Sequence, residues 1–258
     1  MPILLVERHG SALHLLLNRA EVRNALSGAL AEAATAAVVE AIADEACRCI
    51  VIRGVGGSFS AGTDLKERRP LDADGKWAQS RKLWALVKAI LDSPKPVIAA
   101  IDGWCLGGGF ELALACDLRL ATEAAVFGFP EMTLGAYPGG GGAVLLPRLV
   151  GLAAARRLLF VSRRIGGAEA RAIGAVDWLD ADAEAMTARL AEVAGEIEAR
   201  SPLALQALKP VLRHAMDLPL DDAFAFDMAQ RRPLEATEDY QEGLAAFFEK
   251  RTPRFVGR

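Results

Sequence analysis

Four short runs of Val, Ile, Leu and Ala recur along the first 120 residues: 13–17, 49–52, 96–101 and 117–120. They carry few polar residues, and near-continuous apolar character of this length fits strands covered on both faces better than strands with one wet face. Helical stretches separate them. Residues 29–44 are dominated by Ala, Val and Glu, and residues 76–91 place Leu83, Leu86, Val87 and Ile90 on one face. Ser93-Pro94-Lys95-Pro96 stops the second helix and feeds the next strand. Strands alternating with helices predict an α/β layout with crossover connections. The start, residues 1–8, reads as a further strand and not as a leader peptide. From Ala183 the pattern changes to Ala- and Leu-rich helices running to about Phe248, broken at Ser201-Pro202 and Arg232-Pro233. The expected division is a mixed core over 1–199 and a helical region over 200–258, with no linker between them.

The bulk properties narrow the function. A formal charge of −3 disfavours a nucleic-acid scaffold. The apolar run 97–116 approaches membrane length, but Asp102, Glu111 and three glycines interrupt it, so a soluble, cytoplasmic protein away from any membrane is expected. Cys47, Cys49, Cys105 and Cys116 lack zinc-ligand spacing and there is no His cluster, so buried thiols in a reducing compartment and no metal are expected. His9 and His14 fall in the first strand region, where a structural, hydrogen-bonded role is the default, and His214 stands apart from any Ser or Cys motif. Neither G-x-S-x-G nor a phosphate-binding glycine loop occurs, which removes α/β-hydrolase and nucleotide chemistry.

Three glycine-rich segments remain. In the first, Gly107-Gly108-Gly109-Phe110-Glu111 leads from a strand into an Ala/Leu helix. First-turn N–H groups lack intrahelical partners, and glycine lets a ligand approach them. The same residues also fit a packing turn with a dipole-favoured acid. The second, residues 59–67 (Phe-Ser-Ala-Gly-Thr-Asp-Leu-Lys-Glu), reads as an exposed site loop or as a loop with an ordinary N-cap at Thr63 or Asp64. Third, Phe129-Pro130-Glu131 holds a carboxylate at a strand-to-loop corner among apolar neighbours, ahead of Gly139 to Gly142. Such surroundings raise a carboxyl pKa and suit general acid work; a surface Glu closing a turn fits the segment too. Together, two carboxylates and two backbone donors are the parts needed to add water across, or move a proton along, a conjugated acyl group.

In this order and spacing the segments resemble the enoyl-CoA hydratase/isomerase (crotonase) superfamily. The likeness spans the chain. It runs from Leu17-Asn18-Arg19 and Arg23-Asn24-Ala25-Leu26 through the three segments to Pro147-Arg148-Leu149-Val150-Gly151. At the end, Glu242-Gly243 and residues 248–255 match the terminal pattern. The resemblance implies a spiral of ββα turns over 1–199 carrying the site, and a helical C-terminal region that forms trimers, commonly paired into hexamers. It implies an oxyanion hole from the N–H groups of Thr63 and Gly108, and catalytic glutamates at Glu111 and Glu131. Substrate and CoA contacts are implied at Ala61, Asp64, Leu65, Lys66 and Gly139, with Lys250 a further position to weigh. CoA enters as part of the substrate, and no separate cofactor is expected. One departure stands out. Family hydratases commonly follow the glycines with Thr-Gln-Arg-Leu, where this chain has Ala143-Val144-Leu145-Leu146. The implied reaction is reversible syn hydration of a 2-enoyl-CoA to a 3-hydroxyacyl-CoA. The alternatives are Δ3-Δ2 enoyl-CoA isomerisation or another acyl-CoA reaction and, from a different class, a non-catalytic CoA- or RNA-binding relative, which the acidic balance disfavours.

Overall fold

The computed structural model describes residues 1–258. In chain order the elements are β1 (Leu4–His9), β2 (Ala12–Leu17), α1 (Gly28–Ala43), β3 (Cys49–Gly54), α2 (Leu65–Arg68), α3 (Ala73–Asp92), β4 (Val97–Ile101), β5 (Trp104–Leu106), α4 (Gly108–Ala115), β6 (Leu118–Thr122) and β7 (Val126–Gly128). There follow α5 (Gly142–Val161), β8 (Ile165–Gly166), α6 (Gly167–Ala172), β9 (Trp178–Asp180), α7 (Ala183–Glu198), α8 (Pro202–His214), α9 (Leu220–Arg231) and α10 (Glu238–Glu249). No helix is long and apolar enough to cross a membrane.

A β1–β2 hairpin opens a six-stranded sheet of order β1-β2-β3-β4-β6-β9, parallel from β2 onward. Between its strands the chain makes three stacked turns. Each turn leaves a long strand (β3, β4 or β6), lays a short segment (Ser60, β5 or β7) into a second layer, then enters helix. Ser60 bridges Cys105 and β5 pairs β7, both in parallel, so the short segments stack in register with the turns. The expected two-sided burial is present in β3 and β4. Ile50, Ile52, Val97, Ala99 and Ile101 face the central core, while Cys49, Val51, Ile98 and Ala100 pack under Met186, Leu190 and Val193 of α7. Fully burying each such aliphatic side chain stabilises by roughly 1.5–3 kcal/mol, so the sheet is the main apolar reservoir of the fold.

Inside the second layer, Phe59, Phe110, Phe127 and Phe129 are fully buried. The Phe110 ring stacks on Phe129 with centroids 4.9 Å apart and meets Phe127 at 5.2 Å, which seats α4 against the short strands. Three expectations need correction. The segment 59–67 is not an exposed loop at its start, since Phe59 and Ser60 are fully buried where the short strands need apolar and hydrogen-bonding partners. His14 is buried beside His9, ring centroids 4.4 Å apart, and no hydrogen bond holds its ring. Burial and the neighbouring cations bring its pKa down to about 4, so it is neutral. Glu131 lies on a 3-10 turn, Pro130–Leu134, one step past the expected corner. Beyond Ala183 the chain is helical, and α8 is tied back to the core by Lys209 Nζ donating to Lys95 O (2.9 Å) and Asp117 Oδ2 (2.8 Å).

Candidate active site

The first turn of the spiral builds a backbone donor by using up its neighbours. Asn24, held at φ 53°, donates to Val55 O and Ser58 O, and Ser60 Oγ donates to Asn24 O while accepting from Gly62 N. Leu26 N donates to Gly62 O, and Asp64 N to Leu26 O. The N–H groups on either side of Thr63 are therefore taken, and that of Thr63 donates to no protein atom. Asp64 finishes the corner. Its carboxylate caps α2 by accepting from Lys66 N (3.0 Å) and Glu67 N (3.1 Å), and it pairs with Arg19 Nη2 at 2.8 Å. Burial works against its charge, but these donors outweigh it and hold its pKa below the usual carboxylate range.

The second turn supplies the opposing donor. Gly107, at φ 50° and ψ −124°, ends β5 and starts α4 in a conformation that other residues rarely adopt. Gly108 is the first residue of α4, so its N–H has no partner within the helix. A Cβ at Gly108 would lie 3.5 Å from Thr63 N, and one at Gly62 would lie 3.3 Å from Gly108 N. The two free peptide groups thus border one small space.

Two carboxylates flank it. Glu111, one turn along α4, is buried, and its Oε1 accepts from Gly140 N (2.7 Å) and Gly142 N (2.9 Å). Burial raises its pKa, partly offset by those two N–H groups. Glu131 comes from the third turn and packs against Gly107, where its Oε1 lies 2.6 Å from the position of a built Cβ. Its Oε2 is buried with no hydrogen-bond partner. Burial, offset by its own backbone N–H and reinforced by the charge on Glu111, pushes its pKa up to about 7. A glutamate in this state exchanges a proton readily near neutrality.

A cavity of about 350 Å³ joins these groups. Of the sequence-derived positions, Ala61, Thr63, Leu65, Glu111, Glu131 and Gly139 line it, and Gly108 borders it through Thr63. Asp64 and Lys66 do not: the Asp64 carboxylate is committed to its cap and ion pair, and Lys66 stands exposed on α2. Lys250 caps α10 at φ 54°, away from the cavity lining. The altered Ala143-Val144-Leu145-Leu146 stretch lies on α5 outside the lining, with Leu146 turned into the core. Sequence reasoning missed Arg68, Gln79, Ser80, Leu83 and Tyr137 on the cavity wall. Arg68 ends a helix of one turn, which offers no periodic face to signal it. No group of three His, Cys, Asp or Glu converges in a way that could hold a metal ion.

Known proteins bear on this geometry. The family model described as enoyl-CoA hydratase/isomerase matches residues 7–258. The chain is 40% identical to enoyl-CoA hydratase domain-containing protein 2, mitochondrial, of Bos taurus, over 94% of this chain and 83% of that protein. It is 39% identical to 2,3-dehydroadipyl-CoA hydratase of Escherichia coli (strain K12), over 100% of both chains. Among solved structures, an enoyl-CoA hydratase from Bacillus anthracis superposes with a TM-score of 0.97 at 33% identity, covering 100% of both chains.

Proposed function

Because the chain belongs to the enoyl-CoA hydratase/isomerase (crotonase) family, we propose that it catalyses reversible addition of water to a 2-enoyl-CoA, giving a 3-hydroxyacyl-CoA. The observation that carries this reading is the pairing of two unlike glutamates, Glu111 buried and Glu131 half-buried, beside two free backbone donors. In the scheme, Thr63 and Gly108 N–H groups hold the thioester oxygen and stabilise the negative charge that gathers there as the enolate forms. Losing one such donor typically costs about 10²–10³-fold in rate. Water lies between the carboxylates. Its oxygen bonds to C3, Glu111 takes one of its protons, and protonated Glu131 delivers a proton to C2. The pair holds one proton before and after. No separate cofactor is required, and CoA arrives with the acyl group.

A single carboxylate with a pKa of about 7 would also suffice to move a proton between C4 and C2, which is the isomerase reaction. The fixed second carboxylate at Glu111 favours hydration. The deciding experiment follows the loss of enone absorbance when the purified protein meets crotonyl-CoA, beside Glu111→Gln and Glu131→Gln. Hydration by the wild type that falls about 10²–10⁴-fold in each folded variant is expected. Turnover of a 3-enoyl-CoA with no hydration of crotonyl-CoA would replace this reading with isomerisation.

The helical region also supports assembly into trimers or hexamers. Leu208 and Leu212 on α8, with Met216 just beyond, and Leu220, Phe224 and Met228 on α9 recur every four residues, and all are exposed. Residues spaced by four share a helix face, so these are apolar stripes with no partner within the chain.

A further inference from the structure

The cavity wall carries a cation that the hydration scheme does not use. Arg68, the last residue of α2, lines the same cavity as Glu111 and Glu131 and is half-buried. Its three protein contacts all go through Nη1: to Lys76 O (3.0 Å), Gln79 Oε1 (3.0 Å) and Ser80 Oγ (3.3 Å). Every one of these acceptors is neutral. Nearby carboxylates are spoken for: Asp64 by Arg19 and the α2 cap, Glu67 by Gly28 N and Gln79 Nε2, Asp72 by Gly75 N. The guanidinium is therefore braced from one side, with a full charge uncompensated and Nη2 and Nε unused. Those two nitrogens form a fork that suits bidentate contact with a carboxylate.

The position of this fork sets what it can meet. Leu83 abuts the proposed oxyanion site, its Cδ2 lying 2.8 Å from a Cβ built at Gly108. Gln79 and Ser80 lie one turn earlier on α3, and they hold Arg68. A helical turn rises about 5.4 Å, a reach of roughly four carbon–carbon bonds from the thioester carbon. The phosphates of CoA lie beyond the pantetheine arm, on the other side of the thioester sulfur from the acyl chain. We propose that Arg68 binds a carboxylate at the far end of the acyl chain, so that the substrates are mono-CoA thioesters of short dicarboxylic acids. This rests on the reading of the site as an acyl-CoA site, and Arg68 is a specificity-determining residue within it.

The test measures binding and turnover separately. Calorimetric titration of the saturated, unreactive glutaryl- and adipyl-CoA is set against chain-matched pentanoyl- and hexanoyl-CoA, with wild type, Arg68→Met and Arg68→Lys. The wild type is expected to favour one of the dicarboxylic thioesters about 10- to 100-fold, as a charge-assisted hydrogen-bonded pair implies. Arg68→Met should bring that ratio close to one, and Arg68→Lys should keep part of it. A wild-type ratio near one, or a ratio that Arg68→Met leaves unchanged, overturns the proposal and leaves Arg68 as a strut between α2 and α3. Hydration is scored independently with crotonyl-CoA and with glutaconyl-CoA: absence of turnover with both would sink the hydratase reading while the binding ratio still decides the role of Arg68.

Discussion

Glu131 owes its chemistry to what it lacks. One of its oxygens is buried without a donor and its pKa is about 7, whereas Glu111 has two peptide N–H groups on a single oxygen. The pair is active when it carries one proton, so kcat/KM should follow a bell. Its alkaline limb lies near pH 7, where the last proton leaves, and its acid limb lies where Glu111 also protonates. Water addition leaves the proton count on the pair unchanged, so dehydration should trace the same bell; different limbs for the two directions would contradict the shared-proton scheme. The same shift makes a statement about stability. The folded pKa of Glu131 lies above its ordinary value of 4.5, so the folded state binds more protons between about pH 4.5 and 7, and stability falls across that window and stays lower above it. Glu131→Gln should therefore melt at a higher temperature than wild type at pH 8 and lose that advantage near pH 4, even as it loses activity. An equal Tm for the two proteins at pH 8 would argue against the burial of the charge.

At the scale of elements, α4 is aimed by aromatic packing. Phe129→Ala removes the ring stacked on Phe110 and should cost about 3–5 kcal/mol in urea unfolding, because a fully buried ring leaves a cavity. Activity should fall further than the folded fraction does, since Glu111 rides on α4 and Glu131 follows Phe129 by two residues. If activity tracked the folded fraction, the aromatic cluster would be holding the fold and not the site. This level of structure was only partly legible in the sequence. Strands such as residues 49–52 announced themselves because a parallel, two-sided sheet leaves no place for polar residues. Gly107 to Glu111 was legible as a strand-to-helix turn, because few residues other than glycine tolerate it. The use of the Asp64 carboxylate as a cap was readable as one of two options, but its absence from the cavity was not, since that depends on Arg19, 45 positions away. Arg68 escaped notice for a similar reason. α2 is a single turn, too short to show a periodic face, and its last side chain gains meaning only from α3 beside it.

Across the whole molecule, the stripes on α8 and α9 call for a partner surface. Light scattering should give a mass of about three or six times 27.4 kDa, and the double substitution Phe224→Glu/Met228→Glu should reduce it toward one chain. A monomeric wild type would show that these stripes serve something other than self-assembly. The spiral itself has a different consequence. Thr63 comes from the first turn, Gly108 and Glu111 from the second, and both Glu131 and the Gly140 that holds Glu111 from the third. A nascent chain still on the ribosome, or one clipped after β6, can stack two turns and yet own neither the second acid nor the peptide groups that fix the first. Such a fragment is chemically silent, and reactive thioesters meet a working centre only on molecules whose synthesis has passed the third turn.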